Sequence, residues 1–285
     1  MSKKGLKTPL RYPGGKSRAC TKMGQFFPDL REYVEYREPF LGGGSVAIHV
    51  SKLYPHLKIV VNDLYEPLMN FWSNLQMFGT ELYTELKNLK ITNCNQDSAR
   101  CLFLEMKDVI NDKTKTDLER AVAFYVVNKC SFSGLTESSS FSAQASDSNF
   151  SMRGIEKLLG YQEIISNWHI NQYSYEYLLR ENIHDGIFMY LDPPYEIKIP
   201  IYGKRGAMHK YFDHDKFAED CQSSTIDMLV SYNSDQLVKD RFTGLQWKAA
   251  EFDLTYTMRS VGEYMREQKE RKELLLFNYG IERLA

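Results

Sequence analysis

The chain has 285 residues, 43% of them hydrophobic, and carries 36 Lys and Arg against 37 Asp and Glu, a net charge of −1. This is enough chain to bury a full sheet-based core, and the hydrophobic content places it among soluble globular proteins. Apolar runs are only strand-length, and Met1-Ser2-Lys3-Lys4 opens a basic segment with no apolar stretch behind it, so we expect a cytoplasmic protein with neither membrane helix nor secretory signal.

Near neutrality overall conceals clustering. Lys3, Lys4, Lys7, Arg11, Lys16, Arg18 and Lys22 crowd the amino terminus, as a phosphate backbone requires whatever the total charge. Tyr33 to Tyr36 reads as a short strand, and Glu38-Pro39-Phe40-Leu41-Gly42-Gly43-Gly44-Ser45-Val46 follows it into a helix opening at Ala47. Glycines at a strand-to-helix turn let the backbone approach a ligand closely, although three glycines alone are weak testimony. Lys58-Ile59-Val60-Val61-Asn62-Asp63 is another short strand, ending in an acid placed about twenty residues after the turn, where nucleotide-binding α/β folds hold a ribose diol. The spacing suits adenosine; a dinucleotide is disfavoured because the spaced G-x-G-x-x-G is missing.

From Leu64 to Asn128 the pattern turns helical, with Leu68, Phe71, Trp72 and Leu75 in register, then Leu118, Ala121, Val122, Phe124, Tyr125 and Val126 behind Asp117 as a cap. Ser131 to Ser151 is Ser-rich and too long for an ordinary connection, hence either functional or disordered by composition. Ile164 to Ile170 reads partly as a strand entry. Ile187-Phe188-Met189-Tyr190-Leu191 is a buried strand stopped by Asp192-Pro193-Pro194-Tyr195. That tetrad is either a plain strand terminator or a site for a planar amine: the carboxylate and the Pro193 carbonyl accept its N–H groups while the Tyr195 ring stacks on the attached base. Such a geometry suits methylation of a nucleobase amine. Lys198, Lys204, Arg205 and Lys210 add a second basic group. Leu229 to Asn233 is a later strand, where Asn233 either orients substrate or only ends the strand. Arg259, Arg266, Lys269, Arg271 and Lys272 alternate with glutamates, a pattern of solvated helices as well as of DNA contact. Cys20, Cys94, Cys101, Cys130 and Cys221 are scattered and odd in number, so reduced thiols are expected and no disulfide framework or zinc site.

Taken in order, Arg11-Tyr12-Pro13-Gly14-Gly15-Lys16, the Pro39-to-Ser45 turn, Asn62-Asp63 and Asp192-Pro193-Pro194-Tyr195 resemble the Dam-like, alpha-class DNA adenine N6-methyltransferases, and Lys272 to Tyr279 is similar to that family's last strand. The resemblance implies an α/β fold, a doubly wound, mainly parallel Rossmann-like methyltransferase sheet from residues 1–70 and 160–285, with a helical target-recognition insert at 71–159. It implies S-adenosyl-L-methionine as cofactor, double-stranded DNA as partner, no metal, and a monomer or weak dimer. Asp192, Pro193, Pro194 and Tyr195 would be catalytic. Tyr12, Lys16, Pro39, Phe40, Gly42, Gly43, Gly44, Ser45, Asp63, Tyr175 and Asp192 would hold the cofactor, with Lys16 as a plain surface charge the competing reading. Lys129, Ser131, Ser133, Leu135, Glu137, Arg153 and Lys198 would face DNA, Arg153 reading a base or touching a phosphate.

One departure limits the transfer. Members that methylate GATC carry a guanine-reading arginine where this chain has Glu137, which lacks donors for guanine but accepts from a cytosine amine, so strict GATC specificity is not expected. A cytosine N4-methyltransferase would share the geometry, although enzymes of that type more often carry serine in place of Asp192. A non-catalytic DNA-binding relative is the third reading, and the intact tetrad speaks against it.

Overall fold

The computed structural model describes residues 8–12, 14–17, 19–134, 136–195, 212–253 and 272–280, with Ser133, Ser138 and Asp253 described in the backbone alone. Lys3, Lys4, Lys7, Pro13, Arg18, Leu135, Lys198, Lys204, Arg205, Lys210 and the charged stretch from Arg259 to Arg271 lie outside the described residues.

Strands β1 (Glu35–Glu38), β2 (Lys58–Asn62), β3 (His169–Asn171), β4 (Ile187–Leu191), β5 (Asp227–Asn233), β6 (Lys248–Asp253) and β7 (Lys272–Phe277) make one sheet in the order β3-β2-β1-β4-β5-β7-β6. The first five pair in parallel, and β7 runs antiparallel to both β5 and β6. This is the doubly wound, mainly parallel, Rossmann-like sheet that was expected. Its order reverses between β1 and β4, and in open α/β sheets that reversal opens a crevice at the carboxyl ends of the strands.

β1 departs from the sequence reading, which placed a strand at Tyr33 to Tyr36. The paired residues are Glu35-Tyr36-Arg37-Glu38, all buried although three of them are charged. Pairing makes this tolerable, since a buried charge is costly unless matched and hydrogen-bonded. Arg37 donates to Glu35 at 2.6 Å and to the carbonyls of Leu178, Glu181 and Asn182, which close the helix Glu176–Arg180. Lys58 reaches the other Glu35 oxygen at 2.9 Å, and Tyr36 donates to Glu38 at 2.6 Å.

Between β2 and β3 the chain forms a helical layer. In the helix Glu66–Met77, Leu68, Phe71, Trp72 and Leu75 all point inward, as their spacing predicts. The helix Asp117–Cys130 is capped by Thr116 rather than by Asp117: Thr116 Oγ1 accepts from Glu119 N–H while Glu119 returns a bond to Thr116 N–H, a complete capping box. Buried Arg120 on this helix pairs with Glu66 at 2.5 Å. One apolar core runs from the strands into this layer, and the boundary expected at residues 70 and 71 falls inside the helix Glu66–Met77.

The Ser-rich segment is ordered into short 3-10 turns at Phe132–Gly134 and Thr136–Ser138, an antiparallel bridge between Ser131 and Phe141, and the helix Ala143–Ser148. Its serines do structural work by capping. Ser142 accepts from Ala145 N–H, Ser151 caps the helix Met152–Ile164, and Ser139 donates to the Phe132 carbonyl. Phe150 is fully buried as the anchor. Among the described residues, no helix is long and apolar enough to cross a membrane.

Gly44, the residue before the helix Ser45–Leu53, has φ +66°, and a Cβ there would come within 2.8 Å of Trp72 Cζ2. Gly44→Ala is therefore expected to lower the unfolding free energy by about 2 kcal/mol through left-handed strain plus crowding. Urea denaturation checks this, and an unchanged midpoint would show that the turn accepts a side chain.

Candidate active site

The carboxyl ends of β1, β2 and β4 open on one cleft that is open to solvent at its mouth. Tyr12, Gly14 and Lys16 form one wall, the turn from Phe40 to Ser45 another, and Glu38, Asp63, Tyr190, Asp192 and Pro194 the floor and far edge.

The glycine turn is built tightly. Gly42 has φ +48° and donates its N–H to Asp63 Oδ2 at 2.9 Å, while Gly44 N–H closes back on the Leu41 carbonyl at 2.8 Å. A Cβ on Gly42 would lie 2.9 Å from Tyr12 Cε1, and one on Gly43 would lie 3.0 Å from Tyr12 Cβ, so the ring of Tyr12 covers bare backbone. Asp63 is buried, its Oδ1 accepts from Tyr65 N–H at 3.1 Å, and burial pushes its carboxyl up to about 6. Burial also drives the Glu38 carboxyl well above the usual range. Pro39, Gly44 and Tyr175 support the cleft from behind. The Pro39 carbonyl accepts from Asn62, Gly44 packs on Trp72, and the Tyr175 ring stacks 5.6 Å from that of Phe40 with its hydroxyl donating to Asp220.

Lys16 is not a surface charge: it is 2% exposed. Its ammonium lies 2.9 Å from Asp192 Oδ1, 3.1 Å from Glu273 Oε1 and 2.5 Å from the Tyr195 hydroxyl, with the Tyr195 ring centroid at 4.7 Å. Tyr195 donates in turn to Glu273 at 2.6 Å. Ser231 donates to the same Asp192 oxygen at 2.9 Å and shares a hydrogen bond with Tyr190. Asp192, 21% exposed toward the cleft, has its carboxyl raised first by desolvation and then by Glu273, against the lowering effect of Lys16. Glu38, Ser231 and Glu273 escaped the sequence reading as site residues. For Ser231 and Glu273 the available signal was polarity beside apolar strand residues, whereas Glu38, between Arg37 and Pro39, offered none.

The amino-terminal motif also clasps the helical layer. Arg11 donates to the Ser131 carbonyl at 2.6 Å and exchanges backbone bonds with the Asn128 amide, while Gly134, at φ +73°, lies against Arg11 so closely that a Cβ would meet its backbone at 2.7 Å. Two of the residues expected to face DNA are turned inward. Lys129 is buried with its ammonium 5.2 Å from the Tyr125 ring centroid, and desolvation, helped by Arg11, lowers it to about 7. Ser131 is buried and donates to the Asn128 carbonyl. Glu137 is half-buried, its carboxylate accepting from the Tyr65 hydroxyl and the Asn111 amide. Arg153 is exposed near the start of its helix. The Ser133 side chain, Leu135 and Lys198 lie outside the description. Among the described residues, no group of three or more His, Cys, Asp or Glu could hold a metal ion.

Residues 12–258 match the family model described as D12 class N6 adenine-specific DNA methyltransferase. The chain is 25% identical to Type II methyltransferase M.MjaIII of Methanocaldococcus jannaschii, over 67% of this chain and 70% of that one. It is 27% identical to the DNA N-6-adenine-methyltransferase of Escherichia phage P1, over 73% of this chain but 26% of the phage protein. Similarity to Type II methyltransferase M1.LlaDCHI of Lactococcus lactis subsp. cremoris, at 23% identity, extends over 98% of both chains.

Removing Lys16 would leave two carboxylates facing each other with their shared cation gone. Lys16→Met is expected to lower the unfolding free energy by about 3–5 kcal/mol, the usual loss when one partner of a buried ion pair is deleted. Adding Glu273→Leu should recover part of that loss. Urea unfolding of the single and double variants measures both, and an unaltered single variant would mean that solvent already screens the carboxylates.

Proposed function

This chain belongs to the D12 class of N6 adenine-specific DNA methyltransferases, and we propose that it moves a methyl group from S-adenosylmethionine to N6 of an adenine flipped out of duplex DNA. The observation that carries the reading is the meeting of Asp192 and the glycine turn in one cleft at the topological switch point.

The cleft residues fit the cofactor. The glycine turn lines the cleft with backbone over which the Tyr12 ring lies, and once Asp63 is ionised the carboxylates of Asp63 and Asp192 outnumber the single ammonium of Lys16, which favours a cationic ligand. S-adenosylmethionine supplies an electrophilic methyl group on a sulfonium. Asp63 would accept the ribose hydroxyls, the turn from Phe40 to Ser45 would hold the methionine end, and Tyr12 would cover it.

An exocyclic amine is a poor nucleophile because its lone pair is delocalised into the ring. Both hydrogen bonds to Asp192 from Lys16 and Ser231 fall on Oδ1, which supports Oδ2 as the acceptor for the amine, with the Pro193 carbonyl as the second. Accepting both N–H groups localises the lone pair and stabilises the positive charge that develops on nitrogen. Tyr195 would supply the stacking face, and Pro194 would hold the turn. The helical layer from Glu66 to Ile164, with exposed Arg153, is read as the part that meets DNA.

Asp192→Ala is expected to cut turnover about 100-fold or more while weakening cofactor binding far less, because the lost acceptor acts mainly in the transition state. Mass analysis of nucleosides from exposed duplex DNA reads this out. Near-normal N6-methyladenine from the folded variant would overturn the assignment, and N4-methylcytosine from the wild type would redirect it to cytosine. Sequencing the modified sites of the same DNA should find them outside strict GATC, given Glu137.

A second outcome concerns pH. The ribose hydroxyls need the ionised form of Asp63, whose carboxyl is raised to about 6 by burial, so cofactor affinity is expected to be full above that pH and to fall as pH drops through it. Calorimetry across pH 5 to 8 should follow this curve, and Asp63→Asn should flatten it. A pH-independent affinity in the wild type would locate the ribose elsewhere.

A further inference from the structure

Glu273 contributes from the start of β7, at the far side of β5 from the glycine turn, and is 1% exposed. Nothing about a sheet strand requires a carboxylate there. Its Oε1 accepts from the Tyr195 hydroxyl at 2.6 Å and pairs with the Lys16 ammonium at 3.1 Å, while the same ammonium lies 2.9 Å from Asp192. We propose that Glu273 is a positioning residue for methyl transfer, acting through Tyr195 and Lys16 without touching the substrate. The inference rests on the adenine-methylation reading of this site.

Two consequences of the geometry carry it. First, Tyr195 is held at its hydroxyl end by a carboxylate and an ammonium, with the Tyr232 ring 5.9 Å away and tilted 30°. A ring tethered at its polar end presents its face in one place, which removes rotamer freedom before a base arrives. Second, Lys16 is shared. Paired with Asp192 alone it would neutralise the acceptor completely; drawn also toward Glu273, it leaves the trio with one excess negative charge when all three are ionised. That excess favours a nitrogen becoming positive beside Asp192. The other groups around Asp192 do not take over this role: Tyr190 and Ser231 are neutral donors, and burial pushes the Glu38 carboxyl toward its neutral form.

The test uses the full-length protein, S-adenosylmethionine and duplex DNA, with N6-methyladenine counted by mass analysis. In Glu273→Gln we expect kcat to fall about 10- to 100-fold with KM for S-adenosylmethionine nearly unchanged, the pattern of a lost transition-state interaction. The acid limb of the kcat profile should move to lower pH, because Glu273 is one of the groups raising Asp192. Glu273→Asp should restore part of the rate, and combining Glu273→Gln with Tyr195→Phe should cost less than the sum of the two singles. Wild-type kcat with an unmoved limb in Glu273→Gln would overturn the proposal. So would a rate loss matched by equal losses of cofactor affinity and thermal stability with the limb unmoved, since Glu273 would then be a structural strut. Should Glu273→Gln fail to fold, Glu273→Asp decides on the same limb and rate. A wild type that forms no N6-methyladenine would instead remove the reading beneath the proposal.

Discussion

The interaction on which the rest of the architecture depends is the buried Lys16 ammonium shared between Asp192 and Glu273. Burying any of these ions alone costs several kcal/mol, so none of the three segments is comfortable until the others arrive. The consequence is structural as much as chemical. The amino-terminal motif, the end of β4 and the start of β7 are fastened at one point beside the cleft. Arg11, five residues before Lys16, does the same toward the helical layer by donating to the Ser131 carbonyl. A short amino-terminal stretch therefore touches both the sheet edge and the helices.

Much of this was legible in the sequence, for a physical reason that differs from element to element. β4 declared itself because a strand covered on both faces is apolar throughout, and the proline after Asp192 marks its end. The helix Glu66–Met77 was readable from its apolar stripe. β1 was misplaced by two residues because its burial rests on polar pairing rather than on hydrophobicity: Glu35 pairs with Arg37 and with Lys58 of β2, and Arg37 donates to carbonyls from Leu178 to Asn182, acceptors that leave no local trace in the sequence. The Ser-rich stretch was read as a functional segment rather than a disordered one, but how it is ordered was not legible: its serines cap helices and Phe150 anchors it, and composition alone does not distinguish a hydroxyl that caps from one that is solvated.

Within the site, Asp63 and Asp192 were found because acids at the ends of apolar strands stand out. Glu273 was not, since it sits inside a strand, where a lone acid reads as a solvent-facing position. The burial of Lys16 was equally hidden: a lysine in a basic, glycine-rich segment resembles a surface charge until its carboxylates are brought up from the far end of the chain. Glu137 was noticed for the arginine it replaces, but its engagement with Tyr65 and Asn111 is a matter of three dimensions. The carboxylate links the Ser-rich segment to the residues just after Asp63, so the edge expected to meet DNA and the wall expected to hold the ribose share a hydrogen-bonded contact.

The pairing of β1 with β4 has a bearing on how the molecule comes to be folded. Glu35 lies beside Ile187, so the middle of the sheet closes across a loop of roughly 150 residues, the kind of long-range contact that slows folding far more than local helical contacts do. The helices between β2 and β3 close shorter loops than this, Glu66–Met77 packing on Asp117–Cys130 and Gly79–Thr92 on Met152–Ile164. Arg37 of β1 already has Glu35 in its own strand, and the carbonyls that end the helix just before β4 accept its remaining donors. A chain caught before β4 closes on β1 would expose a central strand lined with charge, poorly suited to sticking to its neighbours.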